Sequence, residues 1–422
     1  MLHVAMISVH TCPLARLGSR ETGGMNVYIR ELSRHLGRRG VRVDVFTRRQ
    51  DHEVPKVVEF GENARVIHLD AGPARPMDKY HVLQHLGQFT QGVEAFRKET
   101  SSDYALIHSH YWLSSPVATS LAVQWRVPLV TMFHTLGRLK NRVSRDDSER
   151  ENSERIEIER LAMMAADRIV AVSPADLHQM VGYYSAVQDR IQVVHGGVDT
   201  GQFRPFPADV ARTILGLGRE RLVLFVGRIQ RLKGIDLLLR AFARVVKEWP
   251  EDPKPRLVVV GGRNPADPND PEALEMGRLR ALSQRLGVLD RVIFQGAVPH
   301  SDLPLYYSAV DLVVVPSLYE SFGLVALEAM ACGAPVVASR VGGLQSTIKD
   351  GRTGLLVGRR TPDAFAEAMS AVLRDDALRT SLSEAAVGVA QGFSWSVAAE
   401  RTLRLYRELV PESGRHMALA CN

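Results

Sequence analysis

Two carboxylates, Glu320 and Glu328, interrupt an otherwise apolar run, PSLYESFGLVALEAMACG, over residues 316–333. A carboxylate pair is the equipment of acid/base hydrolysis at a sugar bond, so their separation decides the chemistry. The stretch reads as a buried strand, DLVVVPS, a short loop, LYES, and an apolar helix stopped by Gly333. Glu320 then precedes the helix and Glu328 lies inside it, on the order of 10 Å away at roughly 1.5 Å per helical residue. Hydrolytic pairs span about 5 to 5.5 Å when configuration is retained and about 6.5 to 9.5 Å when it is inverted. The two glutamates fit better as brackets around a ligand, Glu320 toward a sugar and Glu328 toward ribose hydroxyls. For Glu328, a solvent-facing helix residue is the plain alternative.

Between the brackets lies a helix start. A helix start leaves its first backbone N–H groups unused by the helix, so the end at Phe322, Gly323 and Leu324, with Ser321 beside it, is expected to attract an anion, and Gly323 lets a phosphate come close. A matching pair of cations follows an earlier strand: VGRIQRLKG places Arg228 and Lys233 in the loop before a helix near Gly234. Two cations there suit a diphosphate whose charge grows as its bond to a sugar breaks. Solvated surface cations are the bland alternative.

In the first half, polar groups gather just after strands: His10, Tyr111, and His134 with Thr135. A lone histidine in such a place is commonly structural, but several polar groups at strand ends point to a binding rim. Gly23 and Gly24 open the next helix, with Asn26 in its first turn as cap or ligand contact. The charged run RDDSERENSERIEIER reads as a solvated helix with i, i+4 ion pairs.

What must position these groups is an alternation of short β-rich runs with helical stretches, the mark of parallel sheets with crossover helices. Strands are expected at 3–9, 41–47, 64–69, 105–110, 128–134, 168–173 and 191–197, then at 221–227, 256–262, 292–296, 311–317, 335–339 and 353–357. The reading is two doubly wound α/β domains: 1–198, a linker at 199–220, 221–392, and a helical tail at 393–422 that crosses back to the first domain. Ligands of such sheets sit beyond the carboxyl ends of the strands. The 422 residues suit two cores rather than one. The formal charge of +6 is scattered arginine without a basic block, which favours phosphate-bearing small molecules over nucleic acid. Cys12, Cys332 and Cys421 form no CxxC pair, arguing against a disulfide framework or a zinc site and for a reducing compartment. MLHVAMISVH lacks a signal-peptide pattern and no apolar run is long enough to span a bilayer, so a cytoplasmic location is expected. No metal site is expected, and the assembly, monomer or homodimer, stays open.

VGRIQRLKG, followed by PSLYESFGLVALEAMACGAPVVAS and GGL, resembles the donor site of the retaining family-4 glycosyltransferases. The resemblance covers nearly the whole chain and implies a GT-B fold, two Rossmann-like domains facing across a cleft. AMISVHTCPL, GGMNVY, IHSHYWLS, HTLGRLKN with RDDS, and ESFGLVALEA resemble the branch that moves N-acetylglucosamine from its UDP donor to 1D-myo-inositol 3-phosphate, opening mycothiol synthesis. It implies donor contacts at Gly24, Arg228, Lys233, Glu320 and Glu328, and acceptor contacts at His10, Lys79, Tyr111, Thr135 and Arg155. Asn26 and His134 match residues near the reacting sugar. Lys79 and Arg155 enter through the resemblance alone. The implied catalytic groups are Arg228, Lys233, Glu320 and His134, with a UDP-sugar as co-substrate and no further cofactor. Three departures fall on the donor side: ARLG replaces Gln-Pro-Gly in the first loop, the acidic residue before Gly-Gly is displaced to Glu21, and FQGAVPHSDL lacks the family's arginine near the uracil. Rival readings are a transferase of the sucrose-phosphate-synthase type using fructose 6-phosphate, a nucleotide-sugar epimerase, and a non-catalytic binding module.

Overall fold

The computed structural model describes residues 1–15, 22–262 and 270–410. Glu21, most of the ARLG stretch, the centre of the 261–273 loop and Cys421 lie outside the described residues. The chain divides into two compact units, residues 1–15, 24–195 and 395–422, and residues 16–23 and 196–394. Each is built on one sheet.

The first sheet contains β1 (His3–Ile7), β2 (Arg42–Arg48), β3 (Val57–Gly61), β4 (Ala64–Leu69), β5 (Leu106–His110), β6 (Leu129–Met132), β7 (Arg168–Ala171) and β8 (Ile191–Val193). They lie in the order β3-β4-β2-β1-β5-β6-β7-β8, parallel except for the β3–β4 pair. Its central strands are buried along their whole length, β1 and β5 without exception, because helices cover both faces of a parallel sheet. β3 was not expected from the sequence. It is an edge strand with no buried residue, so it carries none of the continuous apolar signal that marks its neighbours. The closing helix Trp395–Leu409 belongs to this unit, where Trp395 meets Tyr28 of helix Gly24–Gly37 edge-on and Tyr406 reaches His108.

The second sheet contains β9 (Leu222–Val226), β10 (Arg256–Val260), β11 (Val292–Gly296), β12 (Leu312–Val315), β13 (Val336–Ser339) and β14 (Leu355–Val357), ordered β11-β10-β9-β12-β13-β14 and parallel throughout. Its core runs from Leu238 and Phe242 of helix Ile235–Glu248 through Val223 and Val259 to Phe365 and Met369 of helix Pro362–Arg374. The stretch expected as linker contains a two-turn helix, Ala208–Leu215.

In each sheet the strand order reverses once, between β1 and β5 and between β9 and β12. A crevice opens beyond the strand ends at such a point, because the flanking crossovers leave on opposite faces. The residues that follow these four strands include His10, Tyr111, Arg228 and Glu320.

Candidate functional site

In the second unit, the loops after β9 and β12 are stitched together by backbone. The Leu318 amide donates to the Leu232 carbonyl at 2.8 Å. Gly234 has φ +70°, and a Cβ there would stand 2.1 Å from the Pro316 carbonyl oxygen, so only glycine lets the two loops approach. This brings Lys233 Nζ to 2.6 Å from Glu320 Oε2, with the Ser317 hydroxyl also donating to that oxygen at 3.3 Å. Both side chains stay about one-fifth exposed. The Glu320 carbonyl accepts from Gly343 N–H at 3.0 Å, fixing the loop before the helix. That helix, Leu324–Ala331, starts at Gly323, which has φ +90° and makes no side-chain cap hydrogen bond. Arg228 is partly buried at the start of the same loop system.

Glu328 is buried, with 6% of its surface exposed, and the solvent-facing alternative falls. Its oxygens accept from His300 Nε2 at 2.8 Å and from the Tyr307 hydroxyl at 3.0 Å. Sequence reading missed His300. It sits after β11, and only folding brings it to a glutamate on another helix.

In the first unit, a charged network occupies the strand ends. Arg155 is fully buried: its guanidinium donates to Glu159 at 2.8 Å and to the Thr135 carbonyl and hydroxyl at 3.1 Å, and stands 2.9 Å from Glu151. It also lies 5.3 Å from the centre of the Tyr111 ring, which stacks on His10 at 5.4 Å. Lys79 joins through Glu151, donating to both carboxylate oxygens at 2.7 and 2.5 Å. The five residues expected at the acceptor are therefore brought into one network. Lys140 was not among them, yet it too donates to Glu151, as does the Tyr80 hydroxyl at 2.5 Å.

The charged run is solvated over most of its length, as expected, but not on the face that carries its i, i+4 pairs. The helix spans Ser153–Ala165 with Asn152 as cap, and the i, i+4 pairs form, but Glu151, Arg155 and Glu159 are buried. An i, i+4 spacing looks identical whether the pair faces water or a protein interior. Here Gly137 N–H and the Tyr184 hydroxyl complete the shell of Glu159. Burial pushes the Glu151 carboxyl up, but the charges of Arg155, Lys140 and Lys79 together outweigh it and hold it well below the usual carboxylate range. Burial, and then the neighbouring Lys79 charge, lowers Lys140 to about 8. For Arg155, burial opposes the charge, while Tyr111, Glu159 and Glu151 more than restore it.

Beside this network His108, His110 and His134 form a column with ring centres 4.2 and 5.3 Å apart. His110 Nδ1 lies 3.1 Å from His134 Nε2. Burial lowers both His108 and His134 to about 3, so these imidazoles are neutral at pH 7. His134 can accept or donate a hydrogen bond but brings no positive charge. Its φ of +60° and the +74° of Tyr111 are unusual for residues with side chains, and both occur at the rim. Asn26 is fully buried and its amide donates to the Thr11 hydroxyl at 2.8 Å and the Cys12 carbonyl at 2.7 Å, tying down the loop after β1. Gly24 begins the helix Gly24–Gly37, directly after Gly23. Among the described residues no cluster of His, Cys, Asp or Glu could hold a metal ion, and no helix is long and apolar enough to cross a membrane.

Comparison with known proteins fits this geometry. The family described as "Glycosyltransferase Family 4" matches residues 22–202 and "Glycosyl transferases group 1" matches residues 209–388. The chain is 43% identical to a D-inositol 3-phosphate glycosyltransferase of Kribbella flavida, over 96% of this chain and 95% of that protein. It is 42% identical to the same enzyme of Kineococcus radiotolerans, over 97% and 96%. Among solved structures, sucrose-phosphate synthase from Thermosynechococcus elongatus superimposes with TM-score 0.89 at 36% identity, covering 97% of this chain and 99% of that one.

Proposed function

This chain belongs to the GT-B glycosyltransferases of family 4 and group 1, and on that premise we propose that it is a retaining enzyme moving N-acetylglucosamine from UDP-N-acetylglucosamine to 1D-myo-inositol 3-phosphate, the opening step of mycothiol synthesis. The observation that carries the acceptor class is the convergence of Lys79, Lys140 and Arg155 on one buried anion position, now held by Glu151. The enzyme names of relatives more than 40% identical support the choice of inositol phosphate.

In the proposed reaction Arg228, Lys233 and the helix start at Ser321 to Leu324 receive the diphosphate, Gly23 and Gly24 lie against the donor, and Glu328 accepts from the ribose hydroxyls. The anomeric bond loosens toward an oxocarbenium-like state, and the leaving phosphate is stabilised by charges already in place before reaction. Glu320, which accepts from Lys233 at 2.6 Å, sets that cation's position and faces the sugar. Asn26 and the neutral His134 border the reacting sugar. A hydroxyl of the acceptor, held by His10, Lys79, Tyr111, Thr135 and Arg155, bonds to the anomeric carbon on the face from which UDP departs and passes its proton to the departing phosphate oxygen, so configuration is retained without a protein nucleophile.

The test uses Lys79→Met. It should lose most turnover with inositol 3-phosphate while still binding UDP, because it removes a phosphate partner and no donor contact. A variant as active as the parent on the phosphorylated acceptor refutes the assignment. A second reading, fructose 6-phosphate as acceptor, is favoured by the 36% identity to a sucrose-phosphate synthase. The unsubstituted protein assayed on both acceptors separates the two.

A further inference from the structure

The acceptor network has an unusual centre. One carboxylate, Glu151, takes hydrogen bonds or ion pairs from Lys79, Lys140, Arg155 and Tyr80 at once. Its Oε1 alone takes contacts from Lys79, Lys140 and Arg155, more than the two lone pairs of one oxygen serve, while Oε2 takes Lys79 and Tyr80. A phosphate monoester brings three terminal oxygens and nearly two charges at neutral pH, a better match to this donor set. The Glu151 backbone is held separately from its carboxylate: its N–H donates to the Asn141 side chain at 2.7 Å and its carbonyl accepts from the same amide at 3.0 Å. The main chain is thus clamped by polar contacts that do not involve the carboxylate, and side-chain rotation alone can take the carboxylate off the cations.

Resting on the acceptor reading above, we propose that Glu151 is an internal substitute for the acceptor phosphate, and that Lys140 is a third cation of the phosphate subsite. The acceptor enters by exchange of carboxylate for phosphate. Glu159 keeps Arg155 oriented during the exchange, since it holds the guanidinium Nε edge while Glu151 holds an Nη. An acceptor without phosphate brings no anion to replace the carboxylate, so the buried Arg155 and the partly buried Lys79 and Lys140 keep Glu151 as their shared partner. Selectivity for phosphorylated acceptors is in this way a property of the competition as well as of the cations.

The probe is inorganic phosphate, titrated calorimetrically into the full-length protein. Glu151→Gln removes the competing charge at nearly constant shape and should bind phosphate at least tenfold more tightly than the parent. Lys140→Met should bind it at least tenfold more weakly, and should raise the KM for the phosphorylated acceptor more than it lowers kcat. Folding of each variant is checked by UDP binding and a cooperative melt; if Glu151→Gln fails that check, Glu151→Asp, whose shorter side chain retracts the carboxylate, is expected to shift phosphate binding in the same direction. Unchanged or weaker phosphate binding in the folded glutamate variant overturns the proposal. If Lys79→Met loses the phosphorylated acceptor while the Glu151 and Lys140 variants match the parent, this inference alone fails. A parent that turns over no phosphorylated polyol overturns the acceptor reading itself.

Discussion

Lowering the pH from 7 to 5 should take stability from the first unit through its buried histidines, and His108→Asn should remove one histidine's share. Burial lowers His108 from its ordinary 6.5 to about 3. Below 6.5 the unfolded chain takes up a proton that the folded chain refuses, so the contribution is intact above 6.5 and is lost as the pH falls toward 3. At pH 5 the unfolded group is 1.5 units past its pKa, and at about 1.36 kcal/mol per unit the loss is about 2 kcal/mol. Asparagine keeps a polar atom where His108 Nδ1 meets the Tyr406 hydroxyl at 2.6 Å but does not titrate. The assay is urea unfolding at both pH values, followed by fluorescence of Trp112 and Trp395, which are buried in the same unit. The stability difference between pH 7 and pH 5 should be about 2 kcal/mol smaller in the variant, whatever its absolute stability. Asp176, raised to about 7 by burial, works in the opposite sense in both proteins and cancels from the comparison. An unchanged difference would refute the placement of His108 as a buried neutral group.

Other outcomes follow from the same contacts. Arg155→Met leaves Glu159 and Glu151 without their shared guanidinium, and should cost about 3 to 5 kcal/mol in chemical unfolding. Gly234→Ala places a methyl 2.1 Å from the Pro316 carbonyl in a left-handed backbone, so UDP affinity should fall with the displaced Lys233 loop, measured by calorimetry. Lys233→Ala and Glu320→Ala should each fold normally by circular dichroism and abolish transfer in a UDP-release assay. His300→Ala removes the 2.8 Å hydrogen bond to Glu328 and should raise the donor KM more than it lowers kcat.

The sheets were legible because the strands are short apolar runs separated by helical periods, and parallel strands buried on both faces write that signal most strongly. β3 was not legible, since none of its residues is buried and its pairing with β4 follows from a tight turn at Asn63, φ +53°. Glu320, Lys233 and Arg228 could be singled out because each follows a strand, and the order reversal between β9 and β12 gives that position its meaning. Glu151, Lys140 and His300 could not. Lys79 and Glu151 are 72 residues apart, and His300 and Glu328 are 28 apart, and no local pattern encodes such contacts. The burial of Arg155 was hidden for another reason: charge spacing records which side chains pair along a helix but carries nothing about what covers them.

The most direct measurement is a matrix of UDP-sugars against inositol 3-phosphate, inositol 1-phosphate, free inositol and fructose 6-phosphate, read by UDP release, product mass and anomeric configuration. The expected result is release of UDP from UDP-N-acetylglucosamine with inositol 3-phosphate, a product bearing one N-acetylhexosamine with retained configuration, and little turnover on free inositol. Turnover confined to fructose 6-phosphate, or conversion of the UDP-sugar with no acceptor consumed, would contradict it.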